Sequence, residues 1–124
     1  MMSKDPVAVF EELLTQPPGF RNSHYWKASR DFYGCDQTVE QVRVIEQEFA
    51  RAFRAIVEQV EAVWGPPDFL GHRSESSFPE WHVAEELSYW RKGDRLAMIW
   101  WEHQDKELPV LLTLAVLKPE QILE

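Results

Sequence analysis

The chain has 124 residues and a formal net charge of −8; 44% of it is hydrophobic and 27% charged. That size and balance fit one ordered domain over residues 1–124 with a core of its own, and they exclude the composition of disordered chains. The acidic sign argues against nucleic acid and anionic membranes as partners, because both attract basic surfaces.

The longest apolar run, Pro109 to Leu117, is interrupted by Thr113. It falls well short of the roughly 18 residues that a membrane-spanning helix needs. The segment Met1-Met2-Ser3-Lys4-Asp5 has no apolar stretch of the kind a secretory signal carries. Cys35 is the only cysteine, so no intrachain disulfide forms. The expected setting is a reducing, cytoplasmic one.

In chain order, the first expected element is a helix from Asp5 to about Thr15. Asp5 is placed to cap it, Pro6 sits where a missing N–H costs nothing, and Val9, Phe10, Leu13 and Leu14 share one face. Pro17-Pro18-Gly19 stops it. Residues 20–37 are dense in aromatics (Phe20, Tyr25, Trp26, Phe32, Tyr33), and a short helix over Tyr25 to Phe32 is one reading of them.

The strongest pattern is Thr38 to Trp64. Thr38 and Gln41 have capping-box spacing. Val42, Ile45, Phe49, Ala52, Phe53, Ile56, Val60 and Val63 then recur every three or four residues. Gly65 with Pro66-Pro67 ends the helix. Asp68 to Pro79 reads as a polar, irregular loop and the best lid candidate, with a strand at Phe69–Leu70 as an open alternative.

The last third reads as three strands: Glu85 to Arg91, Arg95 to His103 and Val110 to Leu117. Lys92-Gly93-Asp94 and Gln104 to Glu107 form the turns between them. Both faces of the later two strands are apolar, so both are expected to be covered. The long helix would cover one face; the first helix, the aromatic segment or a second subunit would cover the other. The expected fold is therefore α+β, with two N-terminal helices, the second long (about 38–64), packed on a three- to four-stranded antiparallel meander sheet.

The densest polar cluster is Glu102-His103-Gln104-Asp105-Lys106-Glu107. Strand alternation puts His103 and Asp105 on one side and Glu102 on the other. A His–Asp pair serves as a general base with its orienting carboxylate, or as two metal ligands; a solvated turn is polar simply because it faces water. Glu80 and His82, with His72 and His103, are the other nitrogen and oxygen donors. They show no HExxH, HxH or paired-cysteine spacing, and no metal is expected. Cys35 lies near the start of the long helix, where a thiolate is favoured, but its neighbours match no nucleophile signature. GxSxG, a phosphate-binding glycine loop and a dinucleotide fingerprint are all missing, so no cofactor is expected.

Six tryptophans are present, and Trp81, Trp90, Trp100 and Trp101 fall close together. Core packing is one role for them; an interface is the other, since tryptophan is enriched in binding hot spots. Two functions follow. The first is a protein-interaction module without catalysis, binding another protein or its own copy. Its surface would comprise Trp81, Trp90, Trp101, Glu102, His103, Asp105 and Glu107. One form of it is an acidic neutraliser that blocks a basic partner, as bacterial immunity proteins do. The alternative is a small-molecule-binding protein or minor enzyme, with a pocket between helix and sheet lined by His72, His82 and His103 and by acidic groups.

Overall fold

The computed structural model describes residues 5–19, 21–29, 39–79, 84–104 and 108–121. Two helices, α1 (Pro6–Leu14) and α2 (Val39–Trp64), pack on one face of a five-stranded sheet. The strands are β1 (Ser23–Ala28), β2 (Phe69–His72), β3 (Ala84–Lys92), β4 (Arg95–Glu102) and β5 (Leu111–Leu117). Their order is β1-β5-β4-β3-β2, and every neighbouring pair is antiparallel. Among the described residues, no helix is long and apolar enough to cross a membrane.

The α+β class is as expected, but the layout needs two corrections. The sheet has five strands rather than three or four, and a strand separates the helices. Residues 23–28, placed in part in a possible short helix, form β1, which pairs with β5 through Ser23↔Ala115 and Tyr25↔Thr113. The open edge of β5 gives this aromatic segment a hydrogen-bonding partner about ninety residues downstream, and no local pattern reports such a partner. The expected loop at 68–79 contains β2, whose Phe69 and Gly71 pair with Tyr89 and Leu87. The rest of that loop is tied locally, with the His72 backbone N–H donating to Glu75 Oε1 at 2.7 Å. Thr38 and Cys35 lie outside the described residues.

α1 is only nine residues long, and hydrogen bonds at both ends hold it. Asp5 Oδ1 accepts from the Val7 N–H at 3.0 Å. At the other end, Asn22 Nδ2 donates to the Leu13 carbonyl at 2.7 Å. Arg95 Nη1 donates to the carbonyls of Leu14 and Gln16 at 2.8 and 2.9 Å. These bonds satisfy carbonyls that a helix end leaves open, with a cation at the end the helix dipole makes negative. α2 ends at Gly65, whose φ of 82° is the left-handed conformation that glycine adopts without strain.

The core lies on both faces of the sheet. Against the helices, Phe10, Phe49, Phe53, Ile56 and Val60 pack with Trp90, Ile99, Trp101, Leu112 and Leu114. On the second face Leu87, Leu96, Met98, Trp100, Ala115 and Leu117 are buried, with Phe69 and Phe78 packed against them. α1 was one of the covers expected for that second face; it sits in the helix layer instead. Within α2 the apolar stripe holds through Val60, but Val63 is 65% exposed, and the next residue, Trp64, packs against the core instead.

Candidate functional site at one end of the sheet

The end of β4, the start of β3 and the middle of α2 bring together the densest set of buried polar side chains. Glu46, Ala50 and Arg54 recur at four-residue spacing, so they lie along one face of α2. Ile99 and Trp101 of β4 point toward that helix, and His103 continues the alternation. A β-bulge in β3 supplies the next group. Ala84 pairs with Glu102 and Glu86 with Trp101, so Glu85 is an extra residue and the facing of the strand changes phase there. Ala84 joins the second-face core, while Glu86 turns toward α2.

Glu86 accepts from Trp101 Nε1 at 3.1 Å and from Arg54, whose Nη2 lies 3.3 Å from both carboxylate oxygens. The Glu86 side chain is 10% exposed and that of Arg54 64%, so the guanidinium roofs a buried carboxylate from the solvent side. The indole reaches the same carboxylate from below.

His103 Nδ1 lies 2.7 Å from Glu46 Oε2, and its Nε2 lies 2.9 Å from the Leu108 carbonyl oxygen. Its side chain is 5% exposed. Both ring nitrogens lie within hydrogen-bond distance of an oxygen, one on the Glu46 carboxylate of α2 and one on the Leu108 carbonyl. With both nitrogens engaged, the ring ties the end of β4 to α2.

A similar pairing occupies the other face. Trp100 Nε1 donates to Glu102 Oε1 at 2.8 Å, and the Gln104 amide donates to Oε2. Consecutive tryptophans thus point to opposite faces, and each indole N–H ends on a buried glutamate. Glu102 and His103 also point to opposite sides, as strand alternation expects.

Several residues expected at a contact surface are interior. Trp90 is 2% exposed, packs edge-on against Trp64, and donates from Nε1 to the Gly65 carbonyl at 3.0 Å. Trp101 is 7% and Glu102 5% exposed. The reason is that β4 is covered on both sides, so alternation sends each of its large side chains into one core or the other. His72 is exposed on the edge strand β2, where its Nδ1 accepts from the Ser74 N–H at 3.1 Å. His72 is therefore bonded to Ser74, and His103 to Glu46 and Leu108 in other parts of the chain. Glu80, Trp81, His82, Asp105 and Glu107 lie outside the described residues. Among the described residues no group of three or more His, Cys, Asp or Glu is placed to hold a metal ion.

Sequence reasoning did not identify Glu46, Arg54 or Glu86 as members of this cluster. The 46/50/54 spacing was readable as a helix face, but the bulge that turns Glu86 toward it has no sequence signal. Comparison with family models, curated proteins and solved structures finds no match.

Proposed function

We propose that this domain is a protein-interaction module that binds a basic partner through the charges of its helix layer. The observation that carries this reading is the outer surface of α1 and α2. Glu11, Glu12, Glu40, Glu48, Glu58 and Glu61 are all exposed there, against exposed Arg43, Arg51 and Arg54. Arg54 is already directed to Glu86, and the cation nearest Glu48 is Lys27 at 3.5 Å. Six exposed glutamates against three exposed arginines leave the helix side net negative toward solvent. Such a surface speeds encounter with a basic protein and selects against acidic ones. Neutralising the partner by covering its basic site is the form of this function that needs no reactive group.

The test is native mass spectrometry of the protein captured gently from lysate of its own cells, run beside a Glu58→Lys/Glu61→Lys variant. The expected result is a complex with a basic chain. Salt weakens that complex, and the variant loses it while keeping its melting midpoint. Capture that is indifferent to both salt and charge reversal, or a bare monomer throughout, overturns the proposal.

A further inference from the structure

We propose that Glu75 is an edge guard: it occupies the outward-facing main chain of β2 and keeps a second copy of this protein from adding its own β2 to the sheet. β2 is an edge strand, and such a strand presents hydrogen-bonding groups on which another chain can build. The register shows which groups these are. Phe69 lies opposite Tyr89 and Gly71 opposite Leu87, and the Arg73 N–H donates to the Glu85 carbonyl at 2.9 Å. In an antiparallel pair such bonds fall on alternate residues. Phe69, Gly71 and Arg73 are therefore bonded toward β3, while Leu70 and His72 turn their N–H and C=O away from it.

Asp68 closes one end of this outward window. Its N–H donates to the Tyr89 carbonyl at 2.9 Å, and its Oδ2 accepts from the Arg91 N–H at 2.7 Å, both toward β3. Glu75 closes the other end. Its Oε1 accepts from the His72 N–H at 2.7 Å, and its own N–H donates to the His72 carbonyl at 2.9 Å. The carboxylate stands where the carbonyl of an added strand would stand. Leu70 is what remains of the window, and one residue is too short a ladder for a stable pair.

The guard is itself held. The Phe78 N–H donates to the Glu75 carbonyl at 3.1 Å, and the Phe78 ring packs edge-on against Phe69 with centroids 6.0 Å apart. Phe69 in turn stacks on Tyr89 of β3 at 5.7 Å. Gly71 makes room for both neighbours, since a Cβ there would lie 2.8 Å from the Phe69 ring and 3.4 Å from Glu75 Oε1. The excluded occupant is a second copy because antiparallel pairing lets the same strand face itself across a two-fold axis. Leu70, 52% exposed, is the apolar side chain that such a pair would cover. The device acts at the sheet edge and does not depend on any partner of the helix layer.

The experiment is sedimentation velocity over a concentration series on the parent, Glu75→Ala and Glu75→Gln. Melting midpoints and NMR hydrogen exchange of the Leu70 and His72 amides are measured on the same samples. Glu75→Ala is expected to self-associate with a Kd at least about tenfold below the parent's, and its Leu70 and His72 amides gain protection as concentration rises. Its melting midpoint stays near the parent's, because Glu75 is exposed. Glu75→Gln keeps an acceptor oxygen and behaves as the parent does. Adding Leu70→Lys to Glu75→Ala puts a charge on the strand and returns association to the parent's level. A Glu75→Ala variant that associates no more than the parent overturns the guard. Association as strong in Glu75→Gln overturns it too, as does association that leaves the two amides unprotected or survives Leu70→Lys.

Discussion

Trp101 joins two kinds of stabilisation in one side chain. Its rings pack against α2, and its N–H ends on Glu86 at 3.1 Å. Trp101→Phe keeps most of the buried area but removes that donor, and should cost about 1–3 kcal/mol in urea denaturation. Trp101→Ala also leaves a cavity and should cost about 3–5 kcal/mol. Arg54→Ala should cost no more than about 1 kcal/mol, because the guanidinium is 64% exposed and water screens its pairing with Glu86. A loss for Arg54→Ala that exceeds the loss for Trp101→Phe would show that the cation, not the indole, holds the carboxylate. Thr113 presents the opposite case. It is 1% exposed on the second face, and its Oγ1 has no hydrogen-bond partner. Thr113→Val keeps the shape and removes the unpaired hydroxyl, so the melting midpoint should rise, by about 1 kcal/mol in stability.

At the scale of elements, α1 shows how a short helix depends on residues far from it. Nine residues are too few to stay helical alone. Phe10 fixes the helix against Trp64, with ring centroids 5.6 Å apart, and Arg95 ties its last carbonyls to β4. Arg95→Ala should cost about 1–2 kcal/mol and raise hydrogen exchange in α1 more than in α2. Equal exchange in both helices would mean that packing alone orders α1. The cap residue Asp5 and the stop at Pro17 were legible in the sequence, because both act over a few residues. The Arg95 cap was not, because it reaches across about eighty residues of chain. β1 differs from expectation for a related reason. Its aromatic residues fit a short helix or a strand equally well, and the edge of β5 selects the strand. Gly93 was legible in kind: with φ 66° it takes the first central position of a two-residue turn between Lys92 and Arg95.

For the molecule as a whole, a sheet buried on both faces directs function outward. Trp90, Trp100 and Trp101 fill its two cores, so the exposed charge of the helix layer is what the proposed basic partner would meet. Glu58→Lys/Glu61→Lys should leave unfolding within about 0.5 kcal/mol of the parent, because both side chains are exposed, while partner capture is lost. A drop in stability of several kcal/mol would show that these glutamates hold the helix layer together instead.

The sequence by itself determined the α+β class, the span of α2, the turn at Lys92-Gly93-Asp94, the acidic charge and the opposite facing of Glu102 and His103. Each of these follows from periodicity or turn chemistry within one or two turns of chain. Only the tertiary structure decided the fifth strand, the place of β1 between the helices, the burial of Trp90 and Trp101, and the partners of Glu86 and His103. Those outcomes depend on contacts between residues tens of positions apart, and on one extra residue in β3 that changes which face Glu86 presents.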